Sequence, residues 1–269
     1  MPRLSRVKTV TGTVASRPRA YVSVRGPDAE DLLQRMLSND VSGETCEALL
    51  LTPKARVIAP LRVWRRADGD FLLLTEPELG ATVRDALLRA RFAARCEISL
   101  ETHDSAVVFD DGEGIPNTDY GRPAVEVLDA DLDPTMTAEE LELLRIRSGT
   151  PRFGREIDDR VLPAEAGLVD RAVSFTKGCY PGQEPIARLH YRGHANRGLR
   201  VLEITGGELP EHDAEVVYGG KPVGRITSAA RDGGSIVALA YVRVEVPENA
   251  DLEVESSKAR PIDSEAGRP

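Results

Sequence analysis

The sequence lacks any run of apolar residues long enough to cross a membrane as a helix. It also lacks a secretory signal, because no apolar core and no small-residue cleavage site follow the basic N-terminal residues. Cysteine is scarce: Cys46, Cys96 and Cys179 are the only three, and they form no CxxC pair. A disulfide scaffold is therefore not expected, and a reducing compartment fits best. We expect a cytoplasmic protein with no membrane partner.

The chain also lacks an excess of positive charge and the common nucleotide and metal motifs. The net charge is −9, which argues against a general nucleic-acid binder. No GxxxxGKS/T phosphate loop occurs. His190 and His194 have the spacing of two metal ligands on a helix, but Gly193 interrupts them and no glutamate completes an HExxH pattern. We therefore predict neither a nucleic-acid partner nor a resident metal ion.

The first hundred residues of the 269-residue chain alternate between strand and helix patterns. Residues 21–24 are good strand formers, and the acidic residues after Pro27 precede an apolar helical face. Further elements are then expected, with Phe92 on the inner side of the helix: strands at 55–66 and 70–76, a helix at 77–92 and a strand at 96–102. This order, βα, ββ, α, β, is typical of a split βαβ (ferredoxin-like) lobe.

A weaker set of the same kind occupies the middle of the chain. Strands are predicted at 105–111 and 123–129, followed by a helix in which Thr137 and Glu140 form a capping box. The turn-rich residues 111–122 between the two strands predict a surface loop. The chain is thus predicted to contain a second α+β lobe.

Short β segments dominate after Arg197. Glycine pairs at 206–207, 219–220 and 233–234 separate these segments, which predicts a small antiparallel barrel or sandwich. We predict an α+β protein with three parts: an α+β region of two lobes at 1–197, a C-terminal β-barrel at 198–262 and a disordered tail at 263–269.

A lone thiol stands in the segment "KGCYPGQE". Cys179 is flanked by Lys177, Gly178 and Tyr180, and then by Gly182, Gln183 and Glu184. Because a nearby cation lowers the pKa of a thiol, Lys177 is expected to activate Cys179. The glycines allow a sharp turn or close approach of a ligand to the backbone. The alternative is a buried structural cysteine beside a tight turn.

Two charge features adjoin the thiol segment. Residues 177–200 hold five basic side chains and one acidic one, Glu184. Either a solvated basic face or a site for an anionic small molecule would explain them. Upstream, Glu165 is the carboxylate of the otherwise apolar "PAEAGL". It could accept paired hydrogen bonds from a ligand's N–H groups or cap its own turn.

These segments carry a resemblance. "KGCYPGQE" resembles the signature of the YgfZ-type folate-binding proteins, a family within the superfamily of the glycine-cleavage aminomethyltransferases. "GPDAEDLLQRMLSNDV", "LLTPKARVIAPLRVWR", "LRIRSGTPRFGREI", "LPAEAGL" and "ARLHYRGHANRGLR" occur in the family's order. The resemblance covers about residues 20 to 255. The eight-residue signature is specific, and the other segments support it jointly.

The resemblance implies a three-lobed ring with a central folate cleft and a C-terminal barrel. Glu165 falls where the transferases keep a glutamate that binds the pterin, and Arg188, Tyr191 and Arg192 are assigned with it to binding tetrahydrofolate. The transferases also keep an acidic pair in the strand that here reads "RVIAPLRV", where this chain has Ala59 and Pro60. Because acid–base chemistry needs a titratable group, this replacement counts against aminomethyl transfer.

For the YgfZ-type family the implied role is support of iron–sulfur enzymes with a reduced folate bound. Cys179 would be the working thiol, tuned by Lys177, and iron–sulfur assembly or client proteins would be partners. One cysteine cannot hold a four-thiolate cluster, so a contact with a cluster would be transient or shared. Ordinary catalytic turnover is not expected. Three alternatives stay open: a folate-dependent one-carbon transferase, a folate-binding module without a redox role and a purely structural protein, which the specific signature disfavours most.

Overall fold

The computed structural model describes residues 12–110 and 112–265. The strands are Val14–Ser16 (β1), Ala20–Arg25 (β2), Thr45–Leu51 (β3), Val57–Ala67 (β4), Asp70–Thr75 (β5), Glu97–Glu101 (β6), Ser105–Phe109 (β7), Ile115–Asn117 (β8), Ala124–Leu128 (β9), Arg197–Thr205 (β10), Glu215–Tyr218 (β11), Lys221–Asp232 (β12), Ser235–Arg243 (β13), Leu252–Val254 (β14) and Ser257–Ile262 (β15). The α-helices are Ala29–Met36 (α1), Gly80–Ala90 (α2), Ala138–Arg147 (α3), Val169–Ala172 (α4) and Gln183–Arg192 (α5), with a 3-10 turn at Pro77–Leu79. No helix in these two ranges is long and apolar enough to span a membrane.

The first lobe is an antiparallel sheet in the order β3-β4-β5-β2-β6, with α1 and α2 packed on one face. The order β4-β5-β2-β6 confirms the predicted split βαβ pattern. Successive side chains of a strand point to opposite faces. Phe71 and Leu73 therefore meet the helices, while Leu72 and Leu74 pack on the far face with Ile115 of the second lobe. The sheet is buried on both sides.

The second lobe is a four-stranded antiparallel sheet in the order β1-β7-β9-β8, which packs against α3. The predicted capping box is confirmed: Thr137 accepts from the Glu140 amide, and the Glu140 carboxylate accepts from the Thr137 amide. Strand β1 enters this sheet from the N-terminal side of the first lobe, pairing Val14 with Val108. The two lobes are therefore interleaved along the chain.

The third lobe is a closed antiparallel barrel of six strands in the order β10-β13-β12-β11-β14-β15. It runs from Arg197 to Ile262. Strand β15 closes the barrel by pairing with β10, for example Ile204 with Ala259. Closure removes the exposed sheet edges that an open sheet of this size would present.

Three expectations from the sequence are wrong in detail. Helix α2 ends at Ala90, so Phe92 is 87% exposed rather than on the inner side. Strand β8 lies within the expected surface loop, and its Ile115 and Asn117 are buried. Glu265 is bonded to Arg147 through both backbone and side chain, so the described start of the expected tail is ordered. Residues 111 and 266–269 lie outside the described residues.

A buried ion network joins α3 to the barrel. The guanidinium of Arg145 donates to Glu156 at 3.0 Å, to Glu142 at 2.7 Å and to the Ser228 hydroxyl at 2.9 Å. The same hydroxyl donates to Glu156 at 2.7 Å. Glu156 is fully buried, and a buried charge needs both a partner and hydrogen bonds to be tolerated. This network therefore determines how the barrel sits on the second lobe.

We expect Arg145→Met to destabilise the fold by about 3–5 kcal/mol, because it leaves the Glu156 carboxylate buried without a cation. As a matched control, Arg260→Met removes an exposed arginine paired with Glu203 and should cost about 1 kcal/mol or less. Urea unfolding followed by circular dichroism measures both. Equal losses in the two variants would mean that the buried network contributes no more than a surface pair.

Candidate functional site

The ammonium group of Lys177 is fixed at the C-terminal end of α1. It donates to the backbone carbonyls of Gln34 at 2.7 Å, Leu37 at 2.7 Å and Asn39 at 3.0 Å. An ammonium has three protons, so these bonds use its full donor capacity. Carbonyls at the end of a helix lack partners within the helix and carry partial negative charge, which a cation stabilises. Lys177 thus anchors the thiol segment to the first lobe.

Ser38 strengthens the same anchor. Its hydroxyl donates to the Ala172 carbonyl at 2.5 Å and accepts from the Leu49 amide at 2.7 Å. The Ser38 carbonyl in turn accepts from the Ser174 amide at 3.0 Å. These bonds tie the chain between α4 and the thiol to the turn after α1. The segment that leads to Cys179 is therefore held by buried contacts.

Tyr180 and Gly182 fix the other side of the thiol. Tyr180 is buried in a core that also contains Ile157, Val161 and Ile186. Gly182 caps the N-terminus of α5 with φ of +85°, and a Cβ there would lie 2.8 Å from the Thr52 carbonyl oxygen. Both the backbone angle and the close contact require glycine. This position shows why the motif contains a glycine after the aromatic residue.

Cys179 itself is exposed between these two anchors. Gly178 is exposed as well, and a Cβ built on it would meet nothing within 4 Å. The expected pairing of Lys177 with Cys179 is not what the structure shows, because the ammonium donates to α1 instead. Within the described ranges the thiol that interacts electrostatically with Lys177 is Cys46. Lys177 therefore positions the thiol loop.

Burial distinguishes the thiols of Cys46 and Cys96 from the exposed thiol of Cys179. It raises the pKa of Cys46 to about 12 and also raises the pKa of Cys96. Burial lowers the pKa of Lys177 to about 8, against the attraction of Asp40, so the amine still carries its proton near neutral pH. Cys179 is thus the accessible thiol of the described chain.

Helix α5 carries the predicted basic residues on its surface. Arg188, Tyr191 and Arg192 are exposed, Tyr191 at 68%. The Phe175 ring stacks on His190 with centroids 4.2 Å apart and meets Tyr191 edge-on at 5.6 Å. Gln183 and Glu184 occupy the first turn of the helix. None of these residues lines the central cleft described below.

Glu165 caps its own turn and pairs with the barrel. Its carboxylate accepts from the Leu162 amide at 2.9 Å and from the Arg197 guanidinium at 3.0 and 3.2 Å. Its side chain is 12% exposed. The same segment borders the central cleft through Ala166, Gly167 and Leu168. Glu165 is therefore beside the cleft, with its oxygens bonded to the protein.

Three adjoining cavities form a central cleft between the lobes. A narrow cavity of about 70 Å³ shares Arg17, Tyr120 and other residues with a cavity of about 790 Å³ on one side. It shares Pro151 and Arg171 with a cavity of about 700 Å³ on the other side. We use "central cleft" for these three cavities together. The two larger cavities have volumes typical of small-molecule sites.

The narrow part of the cleft is lined by guanidinium and carboxylate groups. Six arginines and three acids line it: Arg17, Arg19, Arg62, Arg145, Arg152, Arg171, Glu47, Glu76 and Asp119. Burial alone would raise the pKa of Asp119, but the guanidiniums of Arg62, Arg19 and Arg171 hold that pKa well below its usual range. Each of the six guanidiniums is paired with a carboxylate, including Glu126, Glu142 and Glu156 beside the lining.

The replaced acid positions have different surroundings. Ala59 is fully buried under α1 and α2, whereas Pro60, on the opposite face of β4, lines the narrow part of the cleft. The lining acids Glu47 and Glu76 are paired with Arg171 and Arg17. Sequence reasoning missed this arginine set, since its members are scattered from residue 17 to residue 171 without a common spacing.

The fold places the chain in a known structural class. The glycine cleavage system aminomethyltransferase T of Bartonella henselae matches with a TM-score of 0.78 at 17% identity, over 94% of this chain and 85% of that chain. The fold is therefore aminomethyltransferase-like, as the sequence predicted. No family model matches the sequence.

Three proteins of similar sequence show which members of this structural class the chain resembles. The tRNA-modifying protein YgfZ of Klebsiella pneumoniae (strain 342) is 27% identical over 284 residues, covering 88% of this chain and 85% of the relative. The mitochondrial iron-sulfur cluster assembly factor IBA57 homolog of Pyricularia oryzae is 27% identical over 298 residues, covering 92% and 76%. An aminomethyltransferase of Moorella thermoacetica is 25% identical over 293 residues, covering 88% and 80%. The chain is thus similar over most of its length both to YgfZ-type proteins and to aminomethyltransferases.

We expect iodoacetamide to label one thiol rapidly in the native protein and three after unfolding, because Cys46 and Cys96 are shielded by the core. Intact-mass spectrometry against time measures the labelling. The Cys179→Ser variant should lose the rapid reaction and keep the other two thiols. Rapid native labelling of Cys46 in that variant would contradict the assignment of Cys179 as the accessible thiol.

The two motif glycines offer a second test. Gly182→Ala should destabilise the fold by about 1–3 kcal/mol, since a side chain at positive φ is strained and this one also meets the Thr52 carbonyl. Gly178→Ala should change stability by about 0.5 kcal/mol or less, as for an ordinary surface site. Chemical denaturation compares the two. A large loss in Gly178→Ala would show that the loop is more tightly packed than described.

Proposed function

We propose that this chain binds a reduced folate in the central cleft and supports iron–sulfur proteins through Cys179. The observation that carries the proposal is an exposed thiol on a loop with buried anchors, in a chain that has Ala59 and Pro60 where the resemblance expects the acidic pair of the transferases. The relatives' names point the same way, one being an iron-sulfur cluster assembly factor homolog and another a tRNA-modifying protein.

The thiol loop suits the transient handling of an iron–sulfur cluster as cargo. Cys179 is exposed and stands three residues before Gly182, the N-cap of α5. Thiolates are the usual protein ligands of iron–sulfur clusters. No group of three metal-ligating side chains occurs among residues 12–110 and 112–265. A cluster at Cys179 would therefore complete its ligands from a partner protein.

The central cleft suits a folate by size and by charge. The 790 Å³ cavity has an apolar wall that includes Leu141 and Ile226, beside Arg17 and Arg152. The apolar wall would receive the ring system, and the guanidiniums would pair with the glutamate carboxylates. The Arg152 side chain is 34% exposed, and among the described residues its guanidinium bonds to Glu142 at 3.2 Å, so it can turn toward a ligand. A bound reduced folate would supply a carrier for a one-carbon unit.

Glu165 has a supporting role in this proposal. Its pair with Arg197 holds the turn whose next residues, Ala166 to Leu168, border the cleft. Arg188, Tyr191 and Arg192 were expected to bind the folate as well. Their positions on α5, away from the lining of the cleft, support a separate role for them.

The transferase alternative is weaker on chemical grounds. Proton transfer needs a group whose pKa lies near the working pH and which is within reach. Pro60 has no titratable group, and Glu47, Glu76 and Asp119 are each paired with an arginine. The arginines around Asp119 lower the pKa of that carboxyl, which makes it a poor proton donor. The geometry thus favours folate binding without aminomethyl transfer.

For the thiol, we expect Cys179→Ser to abolish support of iron–sulfur enzymes in cells that lack the native protein, while thermal unfolding stays within a few degrees of the parent. The physical reason is that an exposed thiol adds little to the core. Aconitase-type activity in cell extracts measures the support. Cys46→Ser, which removes a half-buried thiol, is the control and should complement. Full complementation by Cys179→Ser would remove the thiol from the proposal.

For the folate, Arg152→Gln should weaken tetrahydrofolate binding about tenfold, as expected when one charge-assisted interaction worth about 1.4 kcal/mol is lost. Glu165→Ala should weaken binding indirectly, because it releases the turn that borders the cleft. Anaerobic calorimetry measures the affinity, and Arg89→Gln, an exposed arginine on α2, is the control.

Two results would contradict this placement. If Arg188→Gln weakened tetrahydrofolate binding and Arg152→Gln did not, the folate would lie on α5. If the protein converted tetrahydrofolate to its methylene form with an aminomethyl donor, the transferase alternative would replace the proposal.

A further inference from the structure

Helix α5 borders a second cavity that is distinct from the central cleft. This α5 pocket has a volume of about 330 Å³, at the lower end of the range for small-molecule sites. Its walls are apolar: Ile186 and Leu189 come from the helix, Leu162 and Pro163 from the facing segment, and Ala55 from the turn before β4. It shares no lining residue with the three cavities of the cleft.

Two arginines stand at the edge of this apolar pocket. Arg188 and Arg192 are four residues apart on α5, so they project from the same face one turn from each other. Both are exposed, and in the described part of the chain neither guanidinium pairs with a carboxylate. Most other arginines of this acidic protein are paired. An unneutralised pair beside a concave apolar wall is unusual for a merely solvated face.

We propose that the α5 pocket binds a small amphipathic anion. The apolar body of the ligand lies against Leu162, Ile186 and Leu189, and its carboxylate or phosphate is held between Arg188 and Arg192. Two guanidiniums one helical turn apart can each donate to the same anionic group. This site goes beyond the proposed function, because neither folate nor Cys179 takes part in it.

The pocket is structurally linked to the thiol loop. Ala55 lines the pocket, and its Cα lies 3.1 Å from where a Cβ of Gly182 would stand. Helix α5 begins at that glycine and carries the pocket's arginines in its last two turns. Occupation of the pocket therefore fixes the helix whose N-terminus follows Cys179.

The test uses 4-phenylbutyrate as an amphipathic probe, measured by calorimetry on the intact protein without folate. Two comparison ligands test the contributions of the charge and of the apolar body separately. 4-phenyl-1-butanol lacks the charge, and inorganic phosphate lacks the apolar body. We expect 4-phenylbutyrate to bind at least tenfold more tightly than either. The double variant Arg188→Gln/Arg192→Gln should lose at least tenfold in affinity, and Ala164→Leu, which fills the pocket, should lose as much. The control Arg89→Gln should bind as the parent does.

Several outcomes would overturn the proposal. Equal binding of phosphate and 4-phenylbutyrate would reduce the site to a basic surface. Unchanged affinity in the double variant would remove the arginines from it. Competition between 4-phenylbutyrate and tetrahydrofolate would make the pocket part of the folate site. Binding of an acidic peptide with no response to the small anions would assign this face to a protein partner. Because folate binding is measured separately, failure here leaves the folate proposal standing.

Discussion

The interior of this protein depends on a buried network of guanidinium and carboxylate groups at the meeting point of its lobes. Arg19 pairs with Glu126 of β9, Arg62 of β4 pairs with Asp119 of the second lobe, and both arginines are nearly inaccessible to solvent. Removing one member would leave another charge buried without a partner, which is far more costly than losing a surface pair. The network therefore fixes how the lobes join, and with that the shape of the central cleft.

The same network determines what chemistry the cleft supports. Neighbouring arginines lower the pKa of Asp119 and of Glu126, so these two carboxylates serve as partners of guanidiniums and are poorly suited to move protons. Pro60, which has no titratable group, lines the same narrow part of the cleft. The proposed role of the cleft is therefore binding without proton transfer.

The thiol loop is built separately from the cleft. Lys177 fills the carbonyl-lined end of α1 and Gly182 starts α5, so Cys179 is held out from the surface between a helix end and a helix beginning. The lysine of the motif thus holds the thiol loop in place. This arrangement leaves the Cys179 thiol exposed, whereas Cys46 is partly buried and Cys96 is buried.

The sequence by itself determined the elements whose signals are local. The capping box of α3, the apolar face of α1, the glycine turns of the barrel and the special character of "KGCYPGQE" all depend on neighbours within a few residues. Strand β3 was not predicted from the sequence because it is buried on both faces and shows no alternation. Strand β15 was not predicted because Pro261 and its charged residues resemble a loop. The exposed Phe92 was misplaced because helical periodicity continues past the point where the backbone turns away.

Only the tertiary structure decided the partners of the charged groups. The bonds of Lys177 to α1, of Glu165 to Arg197 and of Arg62 to Asp119 connect residues from 32 to 143 positions apart. A charge can pair with any opposite charge or carbonyl that the fold brings within about 3 Å, and sequence spacing contains no information on that distance. The motif could therefore be recognised from the sequence, whereas the direction of its lysine could be known only from the packing of two distant segments.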